Sequence, residues 1–316
     1  MKLAHTLIFA ASLGVSATAV HAQQQFVNVL TGGSSGVYYP LGVAMSQLYG
    51  KALPEAKIQV QATKASVENL NLLERGRGEI GFALADSVND AWTGVADAGF
   101  PKPLKKIRAI GAIYPNYIHI VARADSGIRT LADLKGKRIS VGAPKSGTEL
   151  NARAVFAAAG LKYADFAKTE FLPYSESVEL MKNRQLDATL QSSGLGMAAF
   201  RDLSTTIPVV FIPVPAEVVA RIGNPAYQAS SLPAKTYTGQ DAAVPTVAIN
   251  NILVTHDKVT AATAYEMTRQ LYDNIDQLGN AHNAAKAIAL ANAASGLPIP
   301  LHPGAERYFR EKGLIE

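Results

Sequence analysis

The sequence predicts an α/β protein whose strands are mostly parallel, with room for two lobes. Three observations carry this. Between residues 26 and 87, apolar runs of strand length alternate with segments of helical spacing, an order that implies parallel strands joined by right-handed crossovers. The alternation resumes after residue 130. The 316-residue chain is also long enough for two separate cores, even after loss of a leader.

The leader comes first. Lys2, an apolar stretch from Leu7 to Val20, and Val20-His21-Ala22 read as a secretory signal peptide cut after Ala22. The stretch is short and interrupted by Ser12, Gly14, Ser16 and Thr18, which argues against a permanent membrane anchor. Gln23, where a lipoprotein would carry Cys, argues against a lipid anchor. The expected location is therefore the periplasm. Cleavage removes Lys2 and no acidic residue, leaving 29 basic against 25 acidic residues and a net charge of +4. The basic clusters Lys102–Arg108 and Lys135–Arg138 lie beside Pro or Gly and read as solvated turns, so no nucleic-acid partner is expected. The absence of Cys excludes disulfides, thiol nucleophiles and Cys-ligated zinc.

Phe26, Val27, Val29 and Leu30 read as a buried first strand, and Leu41, Met45, Leu48 and Ala52 recur at helical spacing. Between them lies the turn Thr31-Gly32-Gly33-Ser34-Ser35-Gly36-Val37-Tyr38-Tyr39-Pro40. Its glycines let the backbone approach a ligand, and the helix start that follows offers N–H groups with no intrahelical acceptor. A carboxylate or phosphate suits such a turn. Gly32-Gly33-Ser34-Ser35-Gly36 also matches G-x-S-x-G, the nucleophile elbow of serine hydrolases, although no upstream strand can supply an oxyanion loop. A turn without a ligand is the third reading, and all three stay open here.

The alternating run Lys57–Thr63 predicts a strand beside the first, Ser66 a cap for a helix carrying Val67, Leu70 and Leu73, and Ile80–Ser87 a third, buried strand. Ligands of open parallel sheets bind at the carboxyl ends of strands, where the glycine turn, Thr63, Asp86 and Ser87 all fall. After Pro101 and Pro103 comes a long apolar run, Ile107–Val121, with Tyr114-Pro115-Asn116-Tyr117 in its middle. Thr130–Asp133 reads as a helix start and Arg138–Gly142 as a strand. Ser146-Gly147-Thr148-Glu149 fits a capping box that leaves other first-turn N–H groups free. A helix with Val155, Phe156 and Ala159, a short strand near Glu170–Leu172 and a helix Ser177–Asn183 lead to the strand Asp187–Gly194, which ends in a hydroxyl-rich turn. Residues 213–245 read as irregular, Thr246–Val254 as a strand, and Thr260–Leu278 and Ala284–Ala293 as helices.

Adjacent residues on a helix point about 100° apart, so only one of Tyr38 and Tyr39 can face a cleft, and Tyr39 is slightly favoured. Asp86 could anchor an amino or hydroxyl group, but an Asp there more often caps the next helix. Arg153 sits one turn after Glu149, where an ion pair is the default. His119, His256, His282 and His302 show no metal-ligand spacing, and no Walker motif is present, so neither a metal nor a cofactor is expected.

Several segments together resemble the TAXI family of solute receptors that serve TRAP transporters. They are the glycine turn with its tyrosine pair, Glu79-Ile80-Gly81-Phe82, Leu134–Gly142, Ser146–Glu149, and the tail Leu301-His302-Pro303-Gly304-Ala305-Glu306-Arg307-Tyr308. The resemblance implies a two-lobed, type II periplasmic binding-protein fold with a hinge, one lobe formed by 23–120 with 246–316 and the other by 121–245. It implies a monomer that closes on a small carboxylate or amino acid and delivers it to a TRAP transporter membrane subunit, without catalysis. Carried over residue by residue, ligand contacts are expected from Ser34, Ser35, Gly36, Tyr38 or Tyr39, Ser146, Gly147 and Thr148, with Asp86, Ser87, Gln191 and Ser192 as further candidates. Lys145 stands where relatives often have Gly, which puts a cation beside the second turn. A receptor for an ABC importer shares the fold. A secreted hydrolase using Ser34 with His256, His282 or His302 is the alternative from another class.

Overall fold

The computed structural model of the chain describes residues 25–316, so the expected leader lies outside the described residues. The strands are β1 (Phe26–Leu30), β2 (Lys57–Gln61), β3 (Ile80–Leu84), β4 (Ile107–Arg123), β5 (Arg138–Ser140), β6 (Lys168–Glu170), β7 (Ala188–Ser193), β8 (Val209–Phe211), β9 (Gln228–Leu232) and β10 (Val244–His256). The helices are α1 (Tyr38–Ala52), α2 (Ser66–Glu74), α3 (Ala85–Thr93), α4 (Gly147–Ala158), α5 (Tyr174–Lys182), α6 (Ala198–Thr206), α7 (Ala216–Ile222), α8 (Ala261–Tyr272), α9 (Ile275–Ala281) and α10 (Pro303–Glu311).

The strands join in one sheet ordered β2-β1-β3-β10-β4-β7-β5-β6, with β8 on β4 and β9 on β10. Its two halves follow one plan. In the first, β2, β1 and β3 are parallel and antiparallel β10 closes them. In the second, β6, β5 and β7 are parallel and antiparallel β4 closes them. The two closing strands are long and pair with each other, so the sheet is continuous. Each changes partners midway: β4 joins β7 from Tyr117 onward, while β10 joins β9 up to Ala248 and β3 from Asn251. This is the α/β architecture that the sequence predicts and the type II binding-protein fold that the resemblance implies, with the two expected sheets fused by the crossing strands.

Each half has its own core. Leu30, Leu70, Phe100, Ile107 and Ile252 pack on one side of the first, and Ile118, Ile139, Phe156 and Leu190 fill the second. A third cluster runs along the opposite face, joining Val27, Met45 and Phe82 to Met181 and Phe200. Fully buried side chains of this size each contribute about 1.5–3 kcal/mol, which is why the apolar runs locate the strands well.

Local departures have local causes. Ser66 does not cap α2: its hydroxyl accepts the Leu84 N–H at 3.1 Å, and Ala65 stands at the cap position with φ of 69°. The strand expected to reach Ser87 stops at Leu84, and α3 begins at once, so Asp86 and Ser87 lie in a helical first turn. The stretch from Thr130 makes only a 3-10 turn at Ala132–Leu134. The irregular region 213–245 contains α7 and β9, both short and without strong periodicity. Beyond His282 the expected helix is broken into 3-10 turns, and the tail folds as α10, with the His302 ring accepting the Gly304 N–H at 3.2 Å.

Candidate functional site

A cavity of about 90 Å³ opens between the two halves of the sheet. From the first half come Gly32, Gly33, Gly36, Val37, Tyr38, Thr63, Lys64, Ala65, Ser66 and Leu84. The second supplies Ala143, Ser146, Gly147, Thr148, Pro173, Tyr174, Ser192 and Ser193, and Asn116 comes from the crossing point of β4. Lys64 is the one charged side chain in this lining, which contains no acid.

Three helix starts meet here. Val37 caps α1 without a side-chain hydrogen bond, and Pro40 in the first turn has no N–H to satisfy. The Tyr38 and Tyr39 N–H groups are therefore the free donors of that turn. At α4, Ser146 Oγ accepts the Glu149 N–H at 3.1 Å, so the predicted cap is made. The reciprocal half of the capping box is not: the Glu149 carboxylate instead takes Arg153 Nε at 2.7 Å and the Tyr163 hydroxyl at 3.0 Å. This cap leaves the Gly147 and Thr148 N–H groups free. At α2, the Glu68 N–H donates to the Lys145 carbonyl across the cleft at 3.2 Å.

Neutral donors and acceptors fill the floor. The Tyr38 hydroxyl donates to Asn251 Oδ1 at 2.5 Å, and the ring stacks on Phe82 with centroids 4.8 Å apart. Burial first, then the Tyr174 phenol and the Asp86 carboxylate, push the Tyr38 hydroxyl well above its ordinary pKa, so it stays protonated. Asn251 sits where the β10–β4 register shifts, and such a bulge re-aims a side chain. Its Nδ2 reaches the Tyr114 carbonyl at 2.9 Å. Asn116 Nδ2 donates to Ser192 Oγ at 2.9 Å. The Tyr174 hydroxyl donates to the Ser192 carbonyl at 2.6 Å and lies 2.5 Å from Thr148 Oγ1. Since the Tyr174 proton is already engaged, Thr148 is the donor of that pair.

Of the residues singled out from the sequence, Gly36, Tyr38, Ser146, Gly147, Thr148 and Ser192 line the cavity. Ser34, Ser35, Tyr39, Asp86, Ser87 and Gln191 do not. Ser34 is exposed on the outer side of the turn, and the Ser35 carbonyl is engaged by the Ala199 N–H at 3.2 Å. Helical rotation turns Tyr39 away and Tyr38 inward, the reverse of the slight preference stated above. Asp86 is buried behind the wall, where it accepts from the Ser87 N–H at 2.7 Å, Asn151 Nδ2 at 2.7 Å and the Tyr227 hydroxyl at 2.6 Å. Gln191 points to the Tyr174 carbonyl at 3.3 Å. Lys145 is exposed and outside the lining; Lys64, also exposed, is the lysine that borders the cavity.

Lys64, Ser66, Asn116 and Tyr174 were not among the expected contacts. Asn116 had a signal, a polar residue after Pro115 inside a long apolar strand. Tyr174 had none, because its neighbours read as an ordinary helix start.

The histidines of the hydrolase reading make their hydrogen bonds away from Ser34. His302 bonds the Val259 carbonyl at 2.9 Å, and the His282 and His256 rings accept the Ala284 and Lys258 N–H groups. Among the described residues, no histidine hydrogen-bonds Ser34. No group of three or more His, Asp or Glu there could hold a metal.

A family model described as NMT1-like matches residues 29–313. Among solved structures, PhnD1 of Prochlorococcus marinus, in complex with methylphosphonate, aligns with 93% of this chain and 100% of its own, at 11% identity and a TM-score of 0.57. The alkanesulfonate-binding protein SsuA of Xanthomonas axonopodis pv. citri, bound to MOPS, aligns over 93% and 96% at 16% identity and a TM-score of 0.52. A putative L-cystine ABC transporter from Listeria monocytogenes aligns over 84% and 98% at 14% identity and a TM-score of 0.50. At these identities the likeness is one of fold.

Proposed function

The chain belongs to the NMT1-like family, and from that premise we propose that it is a periplasmic solute receptor that captures a small organic anion and hands it to a membrane importer. The observation that carries this is the cavity, where α1 and α4, from opposite halves of the sheet, both present uncapped first-turn N–H groups. Free N–H groups and the positive ends of the helix dipoles favour an anion, and the Lys64 ammonium adds to them. With no acidic side chain in the lining, an ammonium group would have only neutral acceptors. Of the carboxylate and the amino acid implied by the resemblance, this favours an anion without an amino group. The methylphosphonate of PhnD1 and the MOPS of SsuA are in keeping with that class.

We read the two halves as lobes, 23–120 with 246–316 and 121–245, hinged where β4 and β10 change partners. A ligand touching both helix starts favours the closed arrangement through its differential contacts with the two states. Delivery has two readings. The ABC importer is the better supported, by the putative L-cystine ABC transporter among the fold relatives, whereas the TRAP transporter rests only on the resemblance of the glycine turn and the His302-Pro303-Gly304-Ala305 tail.

The test is binding. Small carboxylates, sulfonates and phosphonates should raise the melting temperature while their neutral esters or amides do not, and small-angle scattering should show compaction. A ligand at 100 times its Kd adds about 2.7 kcal/mol of stability. A melting temperature unmoved by every anion, but raised by sugars or cations, would overturn the anion reading. Uptake by vesicles carrying either a TRAP or an ABC importer decides between the two deliveries.

A further inference from the structure

We propose that Tyr174 is a specificity-determining residue, a fixed wall that limits the length of the anion the cleft can enclose. This rests on the receptor reading above. The side chain projects from the start of α5 in the second half and lines the cavity. It is held at both ends. Its hydroxyl takes the Thr148 proton and donates its own to the Ser192 carbonyl at 2.6 Å, while its backbone carbonyl accepts Gln191 Nε2 at 3.3 Å. These tethers all come from the second half, so the ring is positioned before the two halves meet. Across the cleft its edge faces Gly36, where an added Cβ would stand 3.5 Å from Cε2 and 3.7 Å from Cδ2. The ring and the glycine turn are thus in contact range, so the phenol bounds the space beside the two helix starts, and an anion too large for that space meets the ring.

The hydrogen bonding separates shape from charge. With its proton engaged by a backbone carbonyl, the hydroxyl has none to give a ligand, and burial pushes its pKa up to about 12, so it stays neutral. Tyr174 therefore contributes a boundary, whereas the helix starts and Lys64 recognise the charge.

Calorimetry with unbranched alkanesulfonates and carboxylates of increasing length tests this. In the wild-type protein, affinity should rise by about fourfold for each buried methylene and then fall sharply at a cut-off length. Tyr174→Ala should move the cut-off to longer chains. Tyr174→Phe keeps the ring and should keep the cut-off. Tyr174→Leu, which retains more packing bulk, serves if the alanine variant melts. A cut-off unchanged in the folded alanine or leucine variant, or equally displaced in the phenylalanine variant, overturns the proposal. So does a wild-type series without a cut-off. A wild-type protein that binds no member of either series, nor of the matching phosphonates, instead overturns the anion-receptor reading, and this one with it.

Discussion

The Tyr227 hydroxyl donates a 2.6 Å hydrogen bond to Asp86, joining the segment before β9 in the second half of the sheet to the first turn of α3 in the first half. Asn151 of α4 reaches the same carboxylate oxygen at 2.7 Å. A buried carboxylate with donors from the opposite half ties the two halves together outside the cavity. Its position explains why an Asp that looks like a ligand contact in the sequence serves the interface instead.

That pair predicts an unusual pH dependence. Burial is the dominant influence on Asp86 and pushes its carboxyl up to about 6, against the opposing hydrogen bonds of Tyr227, Ser87 and Asn151 and with a small upward push from Asp90. Because the folded value lies above the ordinary 3.8, the stability this group contributes is fully present below that value and is lost as pH rises through about 6. The swing is of order 3 kcal/mol. Urea unfolding of wild type and Asp86→Asn at pH 4.5 and 7.5 reads it. The wild type should gain more from acidification than the variant, and parallel pH profiles would show that Asp86 does not titrate in this range.

Gly147→Ala should hold the cleft open. An added Cβ would stand 2.6 Å from Ser66 Oγ and 2.8 Å from Leu84 Cδ1, both on the opposite half, while alanine itself suits a helix start. Overpacking of this kind costs about 1–3 kcal/mol, to be taken from closure and not from the fold. Calorimetry should show anion affinity reduced by about tenfold or more, with the melting temperature of the free protein nearly unchanged. Undiminished affinity would mean that Ser66 and Leu84 yield easily.

Tyr38→Phe removes the donor to Asn251 Oδ1 and leaves that buried oxygen without its partner. The cost is about 1–3 kcal/mol in stability, read as a lowered denaturation midpoint at unchanged slope. Tyr39→Phe, outside the lining, should change the stability by less than about 0.5 kcal/mol.

A fluorophosphonate probe should leave Ser34 unlabelled in the native protein. Ser34 is exposed, and the rings of His256, His282 and His302 are each engaged elsewhere. Covalent labelling at Ser34, lost in Ser34→Ala, would restore the hydrolase reading.

The sequence by itself determined the strands other than β8 and β9, the helices α1, α2, α4, α5 and α8, and two of the helix starts that line the cavity. Those signals are local: the spacing of Leu41, Met45 and Leu48, the glycines before Tyr38, and Ser146 three residues before Glu149 are read within one or two turns of chain. Only the tertiary structure decided that Tyr38 and not Tyr39 faces inward, that Asp86 serves the interface, and that Lys64, Asn116 and Tyr174 reach the cavity. Three of these depend on a partner far along the chain, Asn251 for Tyr38, Tyr227 for Asp86 and Ser192 for Asn116. Residue spacing cannot reveal such pairs, because they form between segments that only the folded sheet brings within hydrogen-bond range.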